Sequence, residues 1–187
     1  MSRSVGADFP SIAIHPERVL YRVHRAANDP LHFAFSGDGR FDLIGEAGVG
    51  TCYLSPSPAG AYLETLGRLR TLSRADIDQR RLSEVVPTTT LRLADLTDRH
   101  VLGRYGIAGD ISAGVDYGPS QALAAQLYRA GFDGIYYTAR HDPAFLERSV
   151  AVFGTPSAAK LFAVSSGPIP AALVHEVAHD FGLIVLP

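Results

Sequence analysis

The sequence LYRVHR at residues 20–25 alternates around a β-branched centre, and this pattern predicts a strand at residues 19–24. Three more short sequences follow it in order: GRFD at residues 39–42, TCYLS at residues 51–55 and AYLE at residues 61–64. Each of the four contributes a side chain suited to binding or catalysis, namely Arg22, Arg40, Tyr53 and Glu64.

These four side chains together suit the cleavage of an N-glycosidic bond in a nucleotide. The planar fork of an arginine binds phosphate or pyrophosphate through two parallel hydrogen bonds. A carboxylate stabilises the positive charge that develops on a sugar as its bond breaks, and an aromatic face stacks on a base. No single one of these residues is specific for this reaction, but their combination in this order is.

Composition places the chain among folded globular proteins. Its 187 residues are 47% hydrophobic and 19% charged, and this length predicts one domain over residues 1–187. The net charge of −2 and the lack of a basic tract argue against direct nucleic-acid binding. The single cysteine, Cys52, favours a reducing compartment.

Export and membrane insertion are not predicted. The first residues, MSRSVGADFPS, lack the apolar region of a signal peptide. No apolar run reaches the length of about 18 residues that a transmembrane helix needs. We therefore expect a cytoplasmic protein without membrane contact.

Strands and helices alternate irregularly, which predicts a mixed α+β fold. The polar residues 1–15 predict a flexible arm, and the glycine-rich residues 28–42 and 103–114 predict loops. Helices are predicted at residues 59–72 (capped by Ser57), 73–82 (capped by Ser73), 120–130 and 171–180. Strands are predicted at residues 51–54, 85–93, 95–102, 134–138, 150–153, 161–164 and 183–186.

The ordered motifs resemble those of the RES domain family, the toxin half of bacterial RES–Xre toxin–antitoxin pairs, over roughly residues 17–156. The opening Tyr-Arg of the family corresponds to Tyr21 and Arg22. Its GRFN-like loop corresponds to residues 39–42, its Tyr-Leu-Ala/Ser to residues 53–55 and its helical glutamate to Glu64.

Two further motifs extend the resemblance toward the C-terminus. Ser120 and Gln121 match a Thr/Ser-Gln pair, and GFDGIYYTAR at residues 131–140 resembles GxxGIxYxSxR but is one position shorter. Two residues depart from the family pattern: Asp42 stands in place of asparagine and Thr138 in place of serine. Thr138 keeps the hydroxyl group, whereas Asp42 adds a negative charge that could weaken phosphate binding or orient the neighbouring arginine.

The resemblance implies a fold similar to that of ADP-ribosyltransferase toxins, with antiparallel sheets flanked by helices around an NAD cleft. It implies NAD+ as substrate, cleaved at the nicotinamide–ribose bond by phosphorolysis or hydrolysis, without a cofactor apart from inorganic phosphate as a co-substrate. Transfer of ADP-ribose to a protein is the alternative activity. An Xre-type antitoxin that blocks the cleft is the expected partner. The expected catalytic residues are Arg22, Glu64 and Tyr53, and the expected substrate-binding residues are Arg40, Tyr21, Ser120 and Thr138.

Two of these residues carry local expectations. Glu64 lies in the predicted helix beside apolar neighbours, so its carboxylate needs a partner, and Arg22 or Arg40 is expected to supply it. Ser120 is expected first of all to cap the helix before Gln121.

A rival motif lies near the C-terminus. His175-Glu176-Val177-Ala178-His179 matches HExxH, in which two histidines bind zinc and the glutamate acts as general base. A catalytic zinc normally takes three protein ligands, and the third histidine of the longer motif falls on Val185. We therefore expect no metal site, but surface histidines on an amphipathic helix. A zinc peptidase and a non-catalytic binding module stand as the alternatives.

Overall fold

Three β-sheets organise the chain. The computed structural model describes residues 5–158 and 160–187. Among these residues a five-stranded sheet has the order β1-β6-β7-β8-β3, a three-stranded sheet the order β2-β5-β9, and β4 pairs with β10. The strands are β1 (Ser11–Ile14), β2 (Leu20–Arg25), β3 (Gly50–Leu54), β4 (Thr71–Ser73), β5 (Arg80–Pro87), β6 (Leu91–Asp95), β7 (Gly134–Thr138), β8 (Arg148–Gly154), β9 (Leu161–Pro168) and β10 (Ile184–Leu186).

Most neighbouring strands run antiparallel, while β6–β7 and β4–β10 are parallel. The helices that cover the sheets are α1 (Pro58–Leu66), α2 (Arg74–Asp78), α3 (Arg99–Tyr105), α4 (Asp110–Ala113), α5 (Gly118–Arg129) and α6 (Ala171–Phe181), with a 3₁₀ turn at Pro156–Ala158. The predicted α+β class is therefore confirmed. None of the helices within the described ranges is long and apolar enough to cross a membrane.

Local signals explain where the first two helices begin. The Ser57 side chain accepts a hydrogen bond from the backbone N–H of Gly60, and Pro58 follows as the first helical residue, so the predicted cap of α1 is confirmed. Ser73 caps α2, as predicted, and the structure adds a reciprocal capping box with Asp76.

One short bridge joins the two larger sheets. Tyr21 on β2 and Ser55, just after β3, exchange backbone hydrogen bonds of 2.7 and 2.9 Å. Both β2 and β3 are edge strands of their sheets. Since the described residues form no further ladder between them, a cleft opens between the two edges.

Three apolar clusters hold the sheets and helices in place. One packs α5 on the five-stranded sheet through residues such as Leu127, Ile135 and Phe153. Another packs α1 and α6 against β2, through Val23, Leu63 and Val177 among others. The third lies between the two larger sheets, where Leu20, Leu54 and Val85 are fully buried. Consequently α1 is fixed over the β2 edge of the cleft.

The expectation of a flexible arm at residues 1–15 is wrong for the described residues 5–15. Residues 11–14 form β1, which pairs with β6 along its whole length. Phe9 is 1% exposed and lies 4.6 Å from Tyr105, ring centroid to centroid. The sequence did not reveal this ordered segment, because its composition is polar. A short edge strand and a single buried aromatic residue produce little hydrophobic periodicity. Residues 1–4 lie outside the described part of the chain.

The other corrections concern the middle of the chain. The strand predicted at residues 95–102 is wrong, because the Asp98 side chain accepts the His100 N–H and starts α3 there. The strand predicted at residues 85–93 is two strands, β5 and β6, separated by a turn. The loop predicted at residues 103–114 holds the end of α3 and all of α4. The helix predicted at residues 59–72 ends at Leu66, and the one predicted at 73–82 ends at Asp78.

A Phe9→Ala substitution tests whether the N-terminal segment belongs to the core. Removing a fully buried aromatic ring is expected to lower the free energy of unfolding by about 3–5 kcal/mol. Urea denaturation would measure the change. Phe162→Ala is the matched control, since that ring is 60% exposed on β9 and its loss should cost far less. Equal effects of the two variants would contradict a structural role for the segment.

Candidate functional site

The cleft between β2 and β3 is rich in cationic side chains. Its volume is about 430 Å³. Two of the lining residues in the described chain are carboxylates, Asp38 and Glu64. Against them stand six arginines, Arg22, Arg25, Arg40, Arg68, Arg80 and Arg140. A chain with net charge −2 therefore presents a positive cleft.

Glu64 is held in this cleft by two hydroxyl groups. Tyr137 on β7 donates a hydrogen bond of 2.9 Å to Oε1, and Ser149 on β8 donates one of 2.7 Å to Oε2. Burial, reinforced by the charge of Glu64, raises the pKa of Tyr137 well above its usual value, so this phenol keeps its proton. Each carboxylate oxygen has a second lone pair, which leaves Glu64 able to accept hydrogen bonds from a ligand.

The start of α1 is clamped to β8, which fixes the helix that carries Glu64. Ser55 Oγ donates to the Arg148 carbonyl at 2.8 Å, and Ser57 Oγ donates to Glu147 Oε2 at 2.5 Å. Gly60 allows this close approach, since a Cβ there would lie 2.2 Å from Ser55 Oγ. The Glu147 carboxylate also lies at the positive end of α1, a favourable place for a negative charge.

The prediction that Arg22 or Arg40 would pair with the Glu64 carboxylate is wrong. Hydroxyl groups, and not Arg22 or Arg40, satisfy its carboxylate. Sequence reasoning missed Tyr137 and Ser149, which lie 73 and 85 positions away from Glu64. Tyr137 stood inside the GFDGIYYTAR motif and could have been singled out there, whereas nothing around Ser149 marked it.

Arg22 reaches from β2 to the long loop that was predicted at residues 28–42. Its Nη1 donates to the carbonyls of Pro30 and His32 at 2.7 and 2.8 Å, and lies 3.0 Å from Cys52 Sγ. Burial raises the pKa of Cys52, which stays a thiol. One end of the Arg22 guanidinium thus anchors the loop that forms a wall of the cleft.

Arg40 is similarly tied to backbone. Its two terminal nitrogens donate to the carbonyls of Ile111 and Gly114 at 3.3 and 2.7 Å, and its guanidinium lies 4.7 Å from the Tyr117 ring centroid. Arg40 is 6% exposed, and burial lowers the pKa of its guanidinium. Much of its donor capacity is therefore spent within the protein.

The Ser120 side chain holds the backbone of Arg40 in place. It is 1% exposed, and its Oγ lies 2.7 Å from the Arg40 carbonyl and 2.9 Å from that of Tyr117. The expectation that Ser120 caps the helix is wrong, because α5 begins at Gly118, after Tyr117. Ser120 is therefore not among the residues that line the cleft, but its hydroxyl group contacts the backbone of Arg40, which is.

Asp42 and Tyr53 close the GRFD loop. The Tyr53 hydroxyl donates to Asp42 Oδ1 at 2.8 Å and accepts from the Phe41 N–H at 2.9 Å, while Asp42 Oδ2 accepts from the Gly39 N–H at 2.9 Å. A Cβ at Gly39 would lie 2.3 Å from Asp42 Oδ1, so glycine is required here. Asp42 therefore organises its own loop instead of orienting Arg40.

The same contacts define what Tyr53 can offer a ligand. Burial and the charge of Asp42 raise the pKa of Tyr53 well above its usual value. Its proton is directed to Asp42. Because Tyr53 lines the cleft while its hydroxyl is engaged, the ring itself is the part available for stacking.

Several cationic residues of the cleft were missed by sequence reasoning. Within the described chain, the side chains of Arg25, Arg68 and Arg80 make no hydrogen bond or ion pair. Arg140 lies 3.4 Å from the Tyr117 hydroxyl, and His141 lies next to it. These residues lie near the ends of strands or just beyond a helix, and no sequence motif marks them. Only the tertiary structure therefore reveals that their side chains cluster in the cleft.

The cleft brings together most, but not all, of the predicted site residues. Tyr21, Arg22, Arg40, Tyr53 and Glu64 all line the cleft. Thr138 lines a smaller neighbouring pocket of about 200 Å³, which shares Arg140 with the cleft.

The HExxH residues lie away from the cleft on α6. His175, Glu176 and His179 are exposed, and His179 Nδ1 pairs with Asp180 at 2.7 Å. Across residues 5–158 and 160–187, no three histidine, cysteine or acidic side chains are grouped so that they could hold a metal ion. The two histidines thus stand on the surface of an amphipathic helix, as predicted.

Comparison with known proteins settles the family. The sequence model of the RES domain matches residues 19–172. This chain belongs to the RES domain family. The fold is similar to a chain in the crystal structure of the M. tuberculosis MbcT–MbcA toxin–antitoxin complex, with a TM-score of 0.67 and 20% identity. The match covers 89% of this chain and 92% of that chain. The mixed α+β arrangement is thus the ADP-ribosyltransferase-like fold of RES proteins. No curated protein sequence matches the chain.

His141 offers a pH-dependent test of the electrostatics of this RES cleft. Burial lowers the pKa of His141 to about 4, and the guanidinium groups of Arg140 and Arg40 add to the effect. Between its ordinary value of 6.5 and about 4, the unfolded chain binds a proton that the folded chain does not. The free energy of unfolding should therefore fall as the pH drops through this range, and His141→Asn should reduce that fall. Denaturation at several pH values would measure it, and an NMR pKa of His141 near its ordinary value would contradict it.

Proposed function

We propose that this RES protein cleaves the nicotinamide–ribose bond of NAD+. The observation that carries the proposal is Glu64, which Tyr137 and Ser149 hold rigidly in a cleft lined by arginines. A carboxylate fixed beside cationic groups suits a substrate that has a pyrophosphate and develops positive charge on its sugar. The membership of the RES family supports the same activity.

Glu64 has the role of stabilising the transition state. As the bond between ribose C1″ and the pyridinium nitrogen breaks, its electron pair passes to nicotinamide, which leaves as a neutral molecule. The positive charge that remains on the ribose is stabilised by the Glu64 carboxylate. Because the two hydroxyl donors already fix this carboxylate, little reorganisation is needed at the moment of reaction.

The remaining groups bind and orient the substrate. The arginines of the cleft bind the pyrophosphate, and the Tyr53 ring stacks on the nicotinamide. The ribosyl cation is then captured either by water, which loses a proton and gives ADP-ribose, or by inorganic phosphate, which gives ADP-ribose 1″-phosphate. The same cleft serves both outcomes, so the product identifies the nucleophile.

The activity is tested by incubating the purified protein with NAD+, with and without phosphate, and measuring nicotinamide release. Glu64→Gln is expected to reduce the rate by about a hundredfold, because one preorganised electrostatic contact is lost. Glu176→Gln is the matched control: it makes the same change in the exposed HExxH motif and should leave the rate unaltered. A lack of turnover under both conditions would overturn the proposal, and a loss caused by Glu176→Gln or by a chelator would favour a zinc enzyme.

We also propose that the protein acts as a toxin on the cytoplasmic NAD+ pool and is neutralised by an Xre-type antitoxin. The similar fold in the MbcT–MbcA complex supports a partner of this kind. A protein that blocks the cleft would have to offer negative charge to its arginines, since opposite potentials favour association. Any DNA binding is assigned to that partner.

Expression in a bacterial host tests the toxin proposal. The chain alone is expected to stop growth and deplete cellular NAD+, and the product of a neighbouring reading frame to restore both. The Glu64→Gln variant, expressed at the same level, should be harmless because its fold is retained and its chemistry is not. Normal growth with unchanged NAD+ despite soluble expression of the wild-type chain would contradict a toxin role.

A further inference from the structure

Three arginines of the cleft differ from Arg22 and Arg40 because, among the described residues, their guanidinium groups have no hydrogen-bond or ion-pair partner. Arg22 and Arg40 donate to backbone carbonyls. In contrast, Arg25, Arg68 and Arg80 line the cleft, and their guanidinium groups make no hydrogen bond or ion pair within the described chain. We call these three residues the arginine triplet.

Two members of the triplet face each other across neighbouring strands. Arg25 at the end of β2 is the register partner of Arg80 at the start of β5, so both side chains lie on the same face of the sheet. Val23 and Leu82 share this face and pack beneath α1. Arg68 follows two residues after the end of α1 and brings the third guanidinium to the cleft.

Like charges placed directly opposite each other destabilise a sheet. Burial lowers the pKa of Arg80, and the charge of Arg25 lowers it further, while the Asp76 carboxylate opposes this more weakly. Asp76 is itself engaged by Ser73 in the capping box of α2. The two like charges thus repel each other in the free protein, and a bound anion would offset that repulsion.

Arg68 also acts on the group around Glu64, since its charge lowers the pKa of His141 together with those of Arg140 and Arg40. The charges that act on Arg40 include those of Arg140 and Glu64, whereas Arg80 responds to Arg25 and Asp76. Arg25 and Arg80 therefore act on each other, while Arg68 is the member of the triplet whose charge reaches the residues near the reaction centre.

We propose that the arginine triplet is a phosphoryl-binding subsite of the cleft. Planar guanidinium forks match the geometry of phosphoryl oxygens, and three of them suit a ligand with two or more negative charges. This inference deepens the proposed function and rests on it for the source of the phosphoryl group, which is either the pyrophosphate of NAD+ or inorganic phosphate as a co-substrate.

Binding is tested first, without turnover. Isothermal calorimetry would compare pyrophosphate and inorganic phosphate on wild-type protein and on the variants Arg25→Gln and Arg80→Gln. Each variant is expected to weaken the binding of at least one anion by about tenfold, the effect of losing one charge-assisted hydrogen bond. Arg81→Gln is the matched control, because Arg81 adjoins Arg80 on β5 but donates to the carbonyls of Asp78 and Arg80 outside the cleft.

Thermal unfolding separates a binding role from a structural one. Since Arg25→Gln and Arg80→Gln remove a repulsion, their melting temperatures should equal or exceed that of the wild-type protein. A marked fall in both would assign these residues a structural role and overturn the proposal. No anion binding by the wild-type protein, or equal binding by Arg25→Gln, Arg80→Gln and Arg81→Gln, would also overturn it.

Steady-state kinetics then identifies the source of the phosphoryl group. A KM for NAD+ that rises about tenfold in both triplet variants would assign the subsite to the pyrophosphate, and a similar rise in the KM for phosphate would assign it to the co-substrate. Weaker anion binding with both KM values unchanged would mean an adventitious ion only and would overturn the proposal. If the protein does not turn over NAD+, the proposed function fails while calorimetry still decides whether the triplet binds phosphoryl groups.

Discussion

The clasp of Tyr137 and Ser149 on Glu64 is the interaction on which the rest of the site depends. It connects α1, which packs on β2, with two central strands of the five-stranded sheet. The clamp of Ser55, Ser57 and Glu147 at the start of α1 fixes the other end of the same helix. Because a carboxylate that is partly removed from water is costly without donors, these contacts satisfy Glu64 and fix its position at once.

The arginines of the cleft fall into two groups that differ in their contacts. Arg22 and Arg40 spend donors on backbone carbonyls and thereby hold a loop and the end of α4 in place. Within the described chain, the guanidinium groups of the arginine triplet make no hydrogen bond or ion pair. An excess of unpaired positive charge is unfavourable in the free protein, and it is retained where a negatively charged ligand or partner can compensate for it. The same charge that suits a dinucleotide also suits an acidic antitoxin surface.

Local signals predicted much of the fold. Ser57 with Pro58, and Ser73 with Asp76, fixed two helix starts through side-chain hydrogen bonds that need only neighbouring residues. The three β-forming residues after Gly134 predicted β7 with the observed bounds. The prediction was wrong where a short-range cap overrode a strand-like pattern, as at Asp98, and where one buried aromatic held an otherwise polar segment, as at Phe9.

The sequence by itself determined the family, the α+β class, most of the elements and five of the residues that line the cleft. Ordered motifs and periodicity carry that information because they depend on spacing along the chain. Only the tertiary structure decided that hydroxyl groups satisfy Glu64, that Ser120 lies beneath Arg40, and that Arg25 and Arg80 share one face. These contacts join residues that are far apart in sequence, and which of them meet is set by strand register and packing, which no local pattern encodes.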